Sequence, residues 1–152
     1  MIRVQREDFD VGTELAALTN GRTNIGGLAC FVGLVREVAG ADKISAMTLE
    51  HYPGMTERAI AEIEADAQKR WPLEATLIIH RYGRLEPGDR IVLVATASAH
   101  RAAAFESCEF LIDWLKTKAP FWKLEDTDNG AQWVAAEARD DAAAERWSKT
   151  KG

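Results

Sequence analysis

Apolar and polar residues alternate at Ile2, Arg3, Val4 and Gln5, the two-residue period of a strand. The period then lengthens. Val11, Leu15 and Leu18 lie on one helical face, with Asp10 placed as N-cap and Asn20-Gly21 as the stop. Residues 28–35 are almost wholly apolar before Arg36, the pattern of a strand buried on both faces, with Gly33 marking a bulge or close approach. A polar loop over 39–42 leads to a strand over 44–49. Pro53-Gly54 turns the chain, and Thr56 is placed to cap a helix whose core face is Ile60, Ile63, Ala67 and Trp71 before Pro72 ends it. Two further apolar strands, 76–80 and 90–95, flank the turn Glu86-Pro87-Gly88-Asp89. A third helix opens near Ser98, turns Phe105, Cys108, Leu111, Ile112 and Leu115 inward, and ends before Pro120. Residues 121–125 and 132–134 form a hairpin about the loop 126–130. A tail with Ala135, Ala136, Ala142, Ala143 and Ala144 forms a weak helix that docks through Trp147. Strands and helices mix without strict βαβ alternation, so the expected class is α+β with a mixed or antiparallel sheet and about three main helices.

The 152 residues suit one domain spanning 1–152, and 47% hydrophobic residues fill a core of that size. Nineteen Lys+Arg against twenty-four Asp+Glu give a net charge of -5, which argues against a general nucleic-acid binder. No run of 18 apolar residues predicts a membrane span, and the first residues lack the apolar stretch of a secretory signal, so the expected location is the cytoplasm. Cys30 and Cys108 are far apart, have no metal spacing, and read as buried thiols in apolar elements. His51, His80 and His100 form no spaced metal set.

Candidate chemistry lies in three groups of cations beside apolar elements: Arg36 after the apolar strand, His100-Arg101 at the entry of the third helix, and Lys116, Lys118 and Lys123 around Ala119-Pro120-Phe121-Trp122. Each alone has a plain explanation. Arg36 is a solvated strand end, and Lys116 and Lys118 complement a helix C-terminus. Their conjunction in an acidic chain points to an anion pocket, to which a helix N-terminus adds free amides. One helix from 101 to 116 separates Arg101 from Lys116 by roughly 22 Å at ~1.5 Å per residue, so one small substrate cannot touch both. No Gly or Pro interrupts that span. The expectation is therefore a two-fold dimer with pockets built from both copies.

The segments Leu49-Glu50-His51-Tyr52-Pro53-Gly54-Met55-Thr56, Ile79-His80-Arg81-Tyr82-Gly83, Ser98-Ala99-His100-Arg101 and 116–123 together resemble the large, catalytic subunit of molybdopterin synthase, over about residues 9–147. The resemblance implies a hammerhead-like α+β fold and a homodimer. A small ubiquitin-like sulfur carrier at each end would complete a heterotetramer. It implies transfer of sulfur from the carrier's C-terminal thiocarboxylate to cyclic pyranopterin monophosphate (precursor Z), making the dithiolene of molybdopterin without a metal or organic cofactor. By position it gives Lys116 and Lys123 as the catalytic lysines and Arg36, His100 and Arg101 as substrate-binding cations, with Glu125 near the second lysine. Leu34 stands where the family often has lysine, which weakens the case for a side-chain contact there and leaves the backbone to line the pocket. The stretch around Arg139 is longer than usual and offers Arg139 as a contact from the neighbouring copy.

The residue types suit that chemistry. Arginine forks grip phosphate, and Lys116 would stabilise developing oxyanions or donate protons. A lysine near its ordinary ~10.4 is a poor base at neutral pH, and neighbouring cations and burial would lower that value. Lys123 has two candidate roles, proton exchange or holding the carrier's C-terminal carboxyl. The competing reading from another class is a non-catalytic module that grips a ubiquitin-like carrier or a phosphorylated ligand.

Overall fold

The computed structural model describes residues 1–39, 42–127, 130–134 and 138–148. In chain order the elements are β1 (Ile2–Gln5), α1 (Val11–Thr19), β2 (Gly27–Leu34), β3 (Val38–Ala39), β4 (Asp42–His51), α2 (Met55–Arg70) and β5 (Leu73–Arg81). There follow β6 (Gly83–Leu85), β7 (Arg90–Ser98), α3 (Arg101–Leu115), β8 (Phe121–Thr127), β9 (Gly130–Val134) and α4 (Ala138–Ser148). Two sheets carry the strands. The first has the order β1-β5-β7-β2 and is antiparallel except for the β1–β5 pair. The second has the order β3-β4-β8-β9, with β6 also paired to β4. The class is α+β, as the mixed pattern predicts.

Helices cover both faces of the first sheet. Ile60, Ile63 and Ala67 of α2 and Ala104, Cys108, Phe110, Leu111 and Leu115 of α3 pack on Ile78, Val92 and Val94. On the opposite face Phe9 and the α1 residues Val11, Leu15 and Leu18 meet Leu77, Ile79, Leu93 and Ala95. The central strands β5 and β7 are buried on both faces, which explains their unbroken apolar runs.

The termini of α1 follow the sequence: the Asp10 carboxylate accepts from the Thr13 N–H at 2.8 Å, and Gly21 beyond the helix has φ +71°. Helix α2 differs. Its N-cap is Gly54, whose N–H donates to Glu57 Oε2 at 2.7 Å, while Thr56 lies fully buried in the first turn and donates its hydroxyl to the Tyr52 carbonyl. The cap moved two residues because Gly54 takes φ +86°, which no threonine adopts cheaply, and the helix starts directly behind it.

Three expectations need correction. Strand β2 is not buried on both faces: it bonds only to β7 among the described residues, and Leu28, Phe31 and Leu34 are 37%, 38% and 52% exposed. Cys30 on that strand is likewise exposed, whereas Cys108 is buried, with burial pushing its thiol up to about 12. Phe105 points out of α3 at 65% exposure, and the inward face is made by Ala103, Ala104, Ser107, Cys108, Phe110, Leu111 and Leu115. Apolar composition marks a surface for burial without saying which chain buries it.

The hairpin β8–β9 forms as expected, with residues 128–129 of its loop outside the described residues, as are 40–41 of the polar loop and Ala135 and Ala136 of the tail. Helix α4 docks through Trp147, whose indole N–H donates to Asp113 at 2.7 Å and whose ring meets Trp71 and Phe110 edge-on.

Where β2 enters the sheet, backbone crowds backbone. A Cβ on Gly26 would sit 2.0 Å from the Ala99 carbonyl oxygen, just ahead of α3. Gly26→Ala is therefore expected to cost about 1–3 kcal/mol by forcing β2 away from the start of α3. Urea denaturation read by circular dichroism checks this.

Candidate active site

Helix α3 is unbroken from Arg101 to Leu115, so the separation of roughly 22 Å between Arg101 and Lys116 holds within one chain. Its direction relative to β2 is fixed by three contacts. The Arg101 backbone lies beside Gly27, Thr96 opposite Ala29 donates its hydroxyl to the Ala104 carbonyl at 2.7 Å, and Cys108 reaches the Val94 carbonyl opposite Phe31. Helix and strand therefore run parallel. Exposed His100 and Arg101 mark the Gly27 end, and exposed Arg36 and Lys116 mark the Leu34 end.

At that second end the second sheet contributes the other lysine. Phe121, Lys123 and Glu125 share one face of β8 by their two-residue spacing, and they pair with His51, Leu49 and Met47 of β4. Glu125 is 4% exposed and forms an ion pair with Lys123 at 3.5 Å, so the predicted neighbour of the second lysine is its partner. Met47 and Leu49 pack with Val35, the residue before Arg36. The structure thus gathers Arg36, Lys116, Lys123 and Glu125 at one end and leaves His100 and Arg101 at the other. Lys116 is exposed in the single chain. The side chain of Arg139 lies outside the described residues.

A group of rings under the lysines was not identified as functional from the sequence. His80 stacks on Phe121 with centroids 3.8 Å apart and planes 15° apart. His51 lies 5.9 Å from Phe121 and 4.5 Å from Tyr82. His80 Nδ1 donates to the Arg81 carbonyl at 2.8 Å, and His51 Nδ1 donates to the Thr56 hydroxyl at 3.0 Å, since that hydroxyl gives its own proton to Tyr52. The signal was present in the motifs around His51 and His80, but spacing along the chain does not reveal a stack between β5 and β8. On the other face of β8, Tyr52 packs against Trp122 at 4.7 Å, so that tryptophan points away from the Lys123 side.

A surface depression of about 440 Å³ lies elsewhere, beside Asp8, Val32, Leu34 and Arg90, and none of the predicted site residues lines it. There Arg90 grips Asp8 through bonds of 3.0 and 2.8 Å. Among the described residues no cluster of three His, Cys, Asp or Glu is placed to hold a metal ion.

Comparison with known proteins follows the same residues. The family model described as MoaE protein matches residues 4–118. A molybdopterin synthase catalytic subunit from Ralstonia nicotianae is 55% identical over 96% of this chain and 83% of its own length. The Escherichia coli K12 protein of the same name is 50% identical over 96% and 97%. Among solved structures, a molybdopterin biosynthesis MoaE protein from Burkholderia ambifaria superposes with TM-score 0.83 at 54% identity, covering 97% of both chains. Molybdopterin synthase from Staphylococcus aureus gives TM-score 0.81 at 30% identity over 88% of this chain and 96% of that one.

Burial lowers the His80 pKa to about 4, with the charge of Lys116 and then His51 adding to it against the raising effect of the Arg81 carbonyl. The folded protein therefore holds neutral imidazole where the unfolded chain protonates near 6.5. This contribution is complete above about pH 6.5, falls as pH drops toward 4, and amounts to about 3 kcal/mol over that window. Asp8, held down to about 2 by its bond to Arg90, acts only below the ordinary carboxylate range. Urea midpoints of the parent and His80→Phe should differ in slope between pH 6.5 and 4.5, flatter in the variant. Parallel slopes would remove His80 as the cause.

Proposed function

This chain belongs to the MoaE protein family, and we propose that it works as the catalytic subunit of molybdopterin synthase, moving sulfur from a carrier's thiocarboxylate to cyclic pyranopterin monophosphate. The observation that carries the site assignment is the gathering of Arg36, Lys116, Lys123 and Glu125 at one end of α3, with His100 and Arg101 fixed roughly 22 Å away on the same rigid helix.

A second copy closes that gap. Strand β2 presents an edge unpaired among the described residues, with exposed Leu28, Phe31 and Leu34, and Phe105 of α3 is exposed as well. An apolar edge of this kind is covered in a stable protein. Antiparallel pairing of β2 with its two-fold mate lays the Gly27 end of one strand beside the Leu34 end of the other. Because α3 runs parallel to β2, the mate's His100 and Arg101 then approach Arg36 and Lys116. Hydrophobic burial and a complete cation set come from the same symmetry operation. In this reading the substrate phosphate sits between Arg36 and the mate's His100 and Arg101, and the pterin side chain lies over Lys116 and Lys123.

Each transfer forms a carbon–sulfur bond to the pterin side chain and expels an oxygen. Water then splits the acyl–sulfur link, returning a carboxylate to the carrier and leaving sulfur on the product. Two rounds make a dithiolene. Lys116 serves as the cation for the departing oxygen and for the oxyanion of hydrolysis. Lys123, oriented by buried Glu125, meets the carrier's C-terminal carboxyl group. The partner is a small ubiquitin-like carrier at each end of the dimer, and the setting is the cytoplasm. No described helix is long and apolar enough to cross a membrane. A non-catalytic binding module would share this fold, but the relatives at about half identity are named catalytic subunits.

Lys116→Ala is expected to lower molybdopterin formation from thiocarboxylated carrier and precursor Z by about a hundredfold or more, with dimer and carrier binding retained. Parental turnover by that variant would remove Lys116 from the mechanism. The shared pocket has its own check. When Arg101→Ala and Lys116→Ala chains are mixed statistically, half the dimers are mixed and half of their pockets keep both residues, restoring about a quarter of parental activity. Verified mixed dimers without activity would place the pocket within one chain.

A further inference from the structure

Two of the segments singled out in the sequence, around His51 and around His80, have no part in the chemistry assigned so far, yet the fold brings them together directly under the lysines. We infer that His80 is a positioning residue for the reaction: by stacking on Phe121 it fixes the turn between Lys116 and Lys123 and so sets where the two ammonium groups lie. The inference rests on the proposed roles of those lysines.

The turn is short and is held at both ends. At its start the Lys116 N–H closes on the Ile112 carbonyl at 3.1 Å, and the Thr117 and Lys118 N–H groups share the Trp114 carbonyl at 3.1 and 2.7 Å. At its end the Phe121 N–H donates to the Ala119 carbonyl at 2.8 Å, and Phe121 opens β8 opposite His51. Lys123 follows two residues later on the same face of the strand. Among the described residues, the one side chain that ties this stretch to the first sheet by ring stacking is Phe121, held by His80 at 3.8 Å.

His80 is itself difficult to move. It lies in the central strand β5, is 9% exposed, and its ring is turned by the bond from Nδ1 to the Arg81 carbonyl. Beside Phe121 the support continues through His51 to Tyr82, and the Arg6 guanidinium lies over Tyr82 at 4.7 Å. His51 is held by Thr56, which is fully buried in the first turn of α2. The column therefore anchors the lysine-bearing turn to β5, β4 and α2 at once. A flat ring with one directed N–H fits this place: the face grips the phenyl ring, and the N–H fixes how that face is turned. Misplacement of a reacting group by about 1 Å costs on the order of a hundredfold in rate, so loss of this clamp reaches the chemistry without touching substrate.

The test uses the assembled enzyme with thiocarboxylated carrier and precursor Z, comparing parent, His80→Ala, His80→Phe and Lys116→Ala, each checked for fold by circular dichroism. His80→Ala is expected to lower kcat by about tenfold or more while KM for the pterin stays within about threefold. His80→Phe, which keeps the stack, is expected to return kcat to within about threefold of the parent. A folded His80→Ala enzyme with kcat within about twofold of the parent overturns the inference, as does a folded His80→Phe enzyme no better than His80→Ala. Should His80→Ala not fold, His80→Phe decides alone, and a tenfold loss of kcat in it overturns the inference. An active Lys116→Ala enzyme removes the proposed function on which this rests. An inactive one beside a normal His80→Ala enzyme removes only the positioning role.

Discussion

The parallel packing of one uninterrupted helix on one edge strand governs the molecule. Helix α3 keeps seven residues buried, and bonds from Thr96 and Cys108 fix its direction beside β2. A rod of 15 residues does not bend to bring its ends together. Cations at its two ends therefore lie far apart within one chain, which is why the proposed pockets draw on two copies.

The periodic elements were legible from the sequence. The spacing of Ile60, Ile63 and Ala67 shows α2, and the cap at Asp10 and the glycine at 21 bound α1 as placed. Three features were not legible, each for a physical reason. Residues 28–35 read as doubly buried because composition records an appetite for burial and not whether the chain itself satisfies it. Strand β6 is three residues long, too short for any period to register. Phe105 was assigned to the core by its type, but the inward face of α3 is rich in small residues that let the helix sit close to the sheet, leaving the large ring outside.

The candidate site divides in the same way. Lys116 and Lys123 stand out through charge beside aromatic residues, and Glu125 only through the family resemblance; the 3.5 Å ion pair shows that a carboxylate does sit beside Lys123. The stack of His80 on Phe121 joins residues 41 positions apart in different sheets, and no local rule reports such a contact. The motif around His80 was conspicuous as a pattern before its purpose was visible.

The uncovered edge of β2 also bears on how the protein behaves as its concentration changes. In the proposed two-fold assembly a chain cannot work alone, so dilution below the dimer's dissociation constant would extinguish turnover faster than in proportion to the protein present. Newly made chains meet the same demand. In that assembly, until a mate arrives, Leu28, Phe31 and Leu34 would lie open to any passing strand, and the interval between synthesis and pairing would be when the molecule is most prone to aggregate.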